Sequence, residues 1–203
     1  MNAMDACCAV HPVHERQRRA LRLVLWINAA MFLAELAAGV VAHSTALIAD
    51  SVDMLGDAIA YGFSLYVVGR GPQWLARGAL LKGGIMAAFG VGVLVEIATK
   101  LARGVTPEAS IMWGVASVAL LANSAVLATL WRLRQDDINM RSVWLCSRND
   151  VIANGGVLLA ALGVSLTASA WPDVLVGLAI AALFGVSAVA VIRQALAAPQ
   201  PTR

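Results

Sequence analysis

Charged residues are scarce in this chain. They occupy 13% of its 203 positions, whereas a soluble domain has about a quarter. Apolar residues make up 60%, and the mean hydropathy is +0.77. The apolar segments are too long for strands and lack the alternation of a barrel wall, so only helices satisfy their backbone in lipid. We therefore predict an all-α polytopic membrane protein, a bundle of six transmembrane helices.

Cysteine, histidine and nucleotide-binding signals are also sparse. The chain has three cysteines, of which Cys7 and Cys8 lie in a predicted cytoplasmic tail, so we expect a reducing compartment and no structural disulfide. No P-loop motif is present, which argues against a pump driven by ATP. No histidine falls within a predicted span to act as the base for a Cys146 nucleophile, so an intramembrane hydrolase is disfavoured and the protein is not expected to be an enzyme.

Apolar segments of about 20 residues divide the chain into membrane spans. We predict a transmembrane domain at 21–192, preceded by a tail at 1–20 and followed by a tail at 193–203. The spans within it are expected at 21–41, 46–69, 78–99, 110–133, 143–168 and 172–192.

The basic residues predict the orientation. They cluster before the first span, around the loops that follow the second and fourth spans, and at the end of the chain, whereas Lys100 and Arg103 lie on the opposite side. The positive-inside rule then places both termini in the cytoplasm of a multi-pass protein of the cell membrane, the inner membrane in a bacterium. Because these residues are spread along membrane-flanking loops, lipid and not nucleic acid is the expected neighbour.

Three acids interrupt the second span. Asp50, Asp53 and Asp57 are three and four residues apart, so they share one face of a helix. A charged group at the bilayer centre costs from a few to more than about ten kcal/mol, and membrane proteins that keep such groups usually use them. This face is interpreted as a cation site.

A second pair of donors lies on the fifth span. Cys146 precedes Asp150 by four residues, which places the thiol and the carboxylate on one face, as for Asp53 and Asp57. Two pairs on two helices supply four ligands, the usual coordination number for zinc, and a thiolate favours borderline or soft ions.

Structural interpretations compete with the metal site. Asp50 is a secondary candidate ligand, and it is equally interpreted as a packing or capping acid that pairs with Arg148. Cys146 alone is more often a small buried hydrophobe than a ligand. Glu35 and Glu96 are predicted to be interfacial, near opposite faces of the membrane.

The N-terminal tail contains a weaker group of donors. Short Cys and His tracts bind metals, and the tail candidates are Cys7, Cys8, His11 and His14. Pro12 prevents a simple helical array, and no tight four-ligand spacing is present. The alternative is a leader in which these residues are incidental.

Two motifs resemble those of the cation diffusion facilitators, a family that exports divalent transition metals. The stretch 44–57, STALIADSVDMLGD, is similar to the family's second-helix signature, in which Ser-x-Ala-Leu-x-Ala-Asp precedes a His or Asp and, after three residues, an Asp. The stretch 137–150, DINMRSVWLCSRND, is similar to its entry into the fifth helix, Asp-Leu-Asn-Leu-Arg followed by His, three residues and Asp. The six-span layout agrees.

The resemblance implies a set of ligands. The family's four transport-site ligands fall on Asp53, Asp57, Cys146 and Asp150, with Cys146 where the family usually has His. Zinc is the expected ion, with cobalt and cadmium as alternatives because of the thiol. The family's cytoplasmic C-terminal domain, which binds metal and strengthens its dimer, is expected to be missing. A homodimer is nevertheless expected.

The resemblance also implies a mechanism. A divalent cation would enter from the cytoplasm, bind between the second and fifth spans and leave on the other side by alternating access, in exchange for protons. Ligands must be deprotonated to bind metal, so the two fluxes are coupled at the site. No cofactor is expected besides the transported ion. The alternative is a membrane metal sensor or a subunit of a larger complex that does not itself transport.

Overall fold

A computed structural model describes residues 18–66, 72–131, 134 and 138–197. Each regular element of these ranges is an α-helix, which confirms the predicted all-α class. In chain order the helices are α1 (Arg18–Val41), α2 (Thr45–Tyr66), α3 (Pro72–Arg103), α4 (Ala109–Leu130), α5 (Ile138–Thr167) and α6 (Trp171–Ala197). The tail candidates Cys7, Cys8, His11 and His14 lie outside the described residues.

The six predicted spans correspond one to one with these helices. In the described part of the chain, five helices hold a stretch long and apolar enough to cross a membrane, as expected for a multi-pass membrane protein. The exception is α2, because Asp50, Asp53 and Asp57 interrupt its apolar run. An aspartate-rich helix in such a bundle has to be enclosed by its neighbours, since lipid does not solvate carboxylates.

Packing encloses α2 in this way. It contacts α1, α3, α5 and α6, while α3 pairs with α6 and α4 pairs with α5. Most of its residues are buried, including the small Ala46, Ala49 and Gly56. The other helices instead leave large apolar side chains exposed on their outer faces, such as Leu33, Leu121 and Leu166. Those faces suit lipid, so α2 is the polar centre of an apolar bundle.

Glycine permits the closest approach between α2 and α6. A Cβ atom on Gly177 would lie 2.9 Å from the carbonyl carbon of Thr45 and 3.0 Å from its oxygen. These are backbone atoms at the start of α2, so they cannot rotate away as a flexible side chain does. Small residues at helix crossings of this kind are typical of membrane bundles.

We therefore expect Gly177→Ala to destabilise the bundle by about 1–3 kcal/mol, the usual cost of overpacking. The matched control is Gly185→Ala in the same helix, because a Cβ there meets no atom within 4 Å. Thermal unfolding in detergent should show a lower midpoint for Gly177→Ala alone. Equal midpoints for the two variants would contradict the close contact.

Candidate metal site

The structure places the three aspartates of α2 in the interior of the bundle. Asp50 and Asp57 are buried, and Asp53 is half-buried. Their helix contacts α5, which contains the other predicted ligands, Cys146 and Asp150. Both of those side chains are buried as well. The buried acids of α2 and the buried donors of α5 therefore lie on helices that contact each other.

Asp57 is held by a tyrosine one turn further along α2. The Tyr61 hydroxyl donates a hydrogen bond of 2.7 Å to Asp57 Oδ2. Tyr61 itself packs in an apolar cluster that also contains Cys146 and Val143 of α5. The phenol thus fixes the orientation of the carboxylate on the side of α2 that faces α5. A group that orients a candidate ligand in this way is typical of metal sites.

Asp150 has no hydrogen-bond partner for either carboxylate oxygen, although it is buried. Burial desolvates this carboxylate, and it is repelled by Asp57 most strongly and then by Asp53, Asp50 and Glu35. Acids from α1, α2 and α5 are therefore close enough to interact through the bundle interior. A buried ionised carboxylate needs compensation by a cation, by hydrogen bonds or by a proton.

Cys146 is disulfide-bonded in the structure, so the expectation that the cysteines form no disulfide is contradicted. The expectation was based on compartment and predicted topology, and neither of these determines the oxidation state of Cys146. A sulfur atom in a disulfide cannot act as a thiolate ligand. The predicted role of Cys146 in metal binding thus applies to the reduced protein.

Asp50 has a partner that the sequence did not indicate. The Asn154 side-chain amide of α5 donates a hydrogen bond of 2.8 Å to Asp50 Oδ2, and Asp50 Oδ1 has no partner. The alternative pairing of Asp50 with Arg148 is wrong, because Arg148 is exposed and its guanidinium lies 5.8 Å from the centre of the Trp144 ring.

Glu35 is also placed differently from the prediction. The sequence suggested an interfacial acid, but Glu35 is 0% exposed and neither carboxylate oxygen has a hydrogen-bond partner. The predicted placement of Glu35 and Glu96 near opposite membrane faces is also wrong, because Glu96 lines a cavity beside the α1–α2 loop, at the end of α1 near which Glu35 lies. Glu35 interacts electrostatically with Asp50 and then with Asp53. The helical periodicity of α1 turns this residue toward α2, and an isolated acid in an apolar helix gives no other sign of its depth.

No three His, Cys, Asp or Glu side chains within the described ranges lie close enough together to hold a metal ion. The structure therefore brings Asp53, Asp57, Cys146 and Asp150 to the same interior region without assembling them at coordinating distances. Their assignment as ligands stays a prediction from the sequence.

A separate buried polar cluster ties α6 to the start of α2. Asp173 at the beginning of α6 accepts hydrogen bonds from the Ser44 and Thr45 hydroxyls, both at 2.6 Å. It also accepts from the backbone N–H groups of Thr45 at 2.8 Å and Ala46 at 3.1 Å. Lys100 of α3 completes the cluster with an ion pair of 2.6 Å to Asp173 Oδ2. One carboxylate thereby caps α2 and joins three helices.

The fold and its interior define a class of protein: a multi-pass helical membrane protein with acids enclosed between its helices. The model of the cation efflux transmembrane domain matches residues 21–73 and 77–198. The chain belongs to this cation efflux family, the cation diffusion facilitators, which confirms the resemblance seen in the motifs of α2 and α5.

Two relatives have the same degree of similarity. The chain is 28% identical over 176 residues to the metal cation efflux system protein CzcD of Cupriavidus metallidurans, covering 79% of this chain and 56% of that protein. The same identity and coverage apply to the cation efflux system protein CzcD of Alcaligenes sp. strain CT14. The chain thus spans little more than half the length of these relatives.

Proposed function

We propose that this protein exports a divalent transition-metal cation from the cytoplasm, with the ion bound between α2 and α5 by Asp53, Asp57, Cys146 and Asp150. The observation that carries the proposal is the state of Asp150. Its two buried carboxylate oxygens have no partner, and its strongest electrostatic neighbour is Asp57 on the facing helix. A cation between these helices would compensate both carboxylates.

The donor set favours an ion of borderline softness. Three carboxylates and one thiolate suit zinc, and the sulfur makes cadmium and cobalt acceptable substrates. Zinc is the ion that we expect first. The name of the Cupriavidus metallidurans relative describes metal cation efflux and that of the Alcaligenes relative describes cation efflux, which supports a metal cation as the substrate.

Proton exchange follows from the chemistry of the ligands. Carboxylates and a thiol bind metal only when deprotonated, so binding at the cytoplasmic side releases protons and protonation at the other side favours release of the metal. We propose that the bundle alternates between two orientations around this site. Both termini would be cytoplasmic in the cell membrane, as the distribution of basic residues predicts, and the functional unit would be a homodimer.

The test is metal-dependent proton flux in proteoliposomes prepared under reducing conditions, with zinc, cadmium, cobalt, nickel and manganese. We expect flux with one or two of these ions for the parent protein. Cys146→His should shift the preference from cadmium toward zinc, because imidazole is a harder ligand than thiolate. Cys146→Ser is the matched control, since it removes the sulfur without supplying an imidazole.

The outcomes separate the possibilities. Flux that changes its ion preference in Cys146→His supports both transport and ligation by residue 146. An unchanged preference in both variants would contradict a role of the thiol while leaving transport intact. A folded, reconstituted parent without flux for any ion would contradict export and favour the sensor or subunit alternative.

A further inference from the structure

We propose that Glu35, Asp50 and Asn154 form a second cation site, which takes the transported divalent metal after it leaves the ligands of α2 and α5. This inference rests on the proposed function. The site lies on three helices, α1, α2 and α5, and it includes none of the four ligands that the family resemblance implies.

Glu35 and Asp50 lie near the same loop. Glu35 lies six residues before the end of α1 and Asp50 lies five residues after the start of α2, about 9 Å and 8 Å along their axes from the α1–α2 loop. The two helices are adjacent and are joined by this short loop. A Cβ atom on Gly39, one turn beyond Glu35, would lie only 2.8 Å from the Ile48 side chain. Both acids thus lie at similar depth where α1 and α2 pack closely.

The cluster contains buried oxygen atoms that accept no hydrogen bond. Both carboxylate oxygens of Glu35, Asp50 Oδ1 and the Asn154 side-chain oxygen are buried without a hydrogen-bond partner. Asn154, like Glu35, is 0% exposed. Leaving a buried polar atom unsatisfied costs about 1–3 kcal/mol. An oxygen-coordinated cation would compensate such atoms, because carboxylate and amide oxygens are its natural ligands.

In the described ranges no buried basic side chain is left to act as a counter-ion to the cluster. Lys100 is the buried basic side chain there, and it is paired with Asp173 at 2.6 Å. The hydrogen bond from Asn154 to Asp50 orients the asparagine so that its oxygen is left over as a further donor to a cation. The cluster therefore has ligands without a protein cation to neutralise them.

The position of the cluster suggests a path for the ion. Glu35 interacts electrostatically with Asp50 first and with Asp53 next, so the cluster adjoins the predicted transport ligands. In the other direction there is a cavity of about 250 Å³ near the α1–α2 loop. It is lined by both acidic and basic residues, namely Val40, His43, Ile48, Glu96, Thr99, Lys100, Arg103 and Val105. Val40 and Ile48 are within one or two turns of Glu35 and Asp50. An ion leaving toward this cavity passes the second site.

The ligands of the second site are suited to releasing the metal ion from the protein. It offers oxygen atoms only, whereas the predicted transport site includes the Cys146 sulfur. Zinc and cadmium bind more weakly to oxygen ligands than to thiolate, so transfer between the sites lowers the affinity for the ion before it leaves. Transport requires binding that is strong enough to select and weak enough to release.

The experiment counts bound metal. Zinc is titrated calorimetrically into the full chain in detergent under reducing conditions, and we expect two binding events per chain for the parent. Glu35→Gln should remove the weaker event, or lower its affinity at least tenfold, and keep the tighter one. Asp57→Asn should do the reverse. Glu108→Gln, which changes an exposed acid just before α4, is the matched control and should keep both events.

Two results would overturn the inference: one binding event in the parent that Asp57→Asn removes, or two events that both survive in Glu35→Gln and Asp50→Asn. Size-exclusion profiles of the variants test for misfolding. We do not expect misfolding from an isosteric change of a carboxylate that has no hydrogen-bond partner. Flux assays separate this inference from the proposed function. If the parent transports and Glu35→Gln binds metal as the parent does, the second site fails and export stands; if no metal is transported, export itself fails.

Discussion

Asp57→Asn is expected to abolish metal-dependent proton flux while the protein still folds. The substitution is nearly isosteric, and the amide oxygen still accepts the hydrogen bond that Tyr61 donates at 2.7 Å to Asp57. It removes one negative charge opposite Asp150, whose own oxygens have no partner. Changes in the groups that orient metal ligands cost about 10–100-fold, so loss of a ligand should lower flux at least about 100-fold.

Tyr61→Phe supplies the graded comparison for this prediction. It keeps the ring in its apolar cluster with Cys146 and removes only the hydroxyl that holds Asp57. A reduction of about tenfold is expected, because the ligand is retained but less well oriented. The measurement is flux in proteoliposomes at matched protein content. Parent-like flux in Asp57→Asn would refute ligation by Asp57, and an equal loss in both variants would instead indicate a structural role.

The helices could be predicted from the sequence because the bilayer thickness sets the length of an apolar span. The predicted bounds fail where helices continue past the apolar stretch. The third span was expected at 78–99 and the fifth at 143–168, yet α3 begins at Pro72 and α5 at Ile138. Hydropathy does not detect these extensions, because backbone hydrogen bonding and not lipid burial determines where a helix ends.

The sequence predicted that the acids of α2 share one face of the helix, but it did not predict which side chains of other helices they contact. Periodicity orients residues within one helix, whereas the partner of Asp50 is Asn154, 104 residues away. Glu35 shows the same limit: one acid in an apolar helix carries no signal of which neighbour it meets. Fold topology alone decides such contacts, and a single sequence contains no information on it beyond the length of the loops.

Lys100 and Asp173 illustrate the limit most clearly. Lys100 was interpreted as a loop-flanking charge because it lies at the end of an apolar span, and Asp173 was not singled out. The structure buries both and pairs them across 73 residues of sequence. The sequence signal that was available is the proximity of both residues to the same predicted membrane face, together with the Ser44-Thr45 pair at the start of α2, a typical helix-capping pair.

Lys100→Met is expected to destabilise the protein strongly. The substitution keeps most of the side-chain volume but leaves Asp173, which is 0% exposed, without its counter-ion. Removing one partner of a buried ion pair costs about 3–5 kcal/mol. For a chain of this size, about 1 kcal/mol lowers the unfolding midpoint by about 2–4 °C, so a drop on the order of 10 °C is expected in detergent. Arg103→Met, at the exposed end of the same helix, should leave the midpoint nearly unchanged.

A double substitution separates the ion pair from the cap. In Lys100→Met with Asp173→Asn the uncompensated charge is gone, while the asparagine oxygen in place of Oδ1 still accepts the hydrogen bond from the backbone of Ala46; the one from Thr45 to Oδ2 is lost. The double variant should therefore be more stable than Lys100→Met alone, since the penalty arises from the orphaned carboxylate and not from the lost attraction. If Lys100→Met has the same unfolding midpoint as the parent, the ion pair contributes nothing to the stability of the contact between α2, α3 and α6. If the double variant is less stable than either single variant, the capping hydrogen bonds to the carboxylate dominate instead.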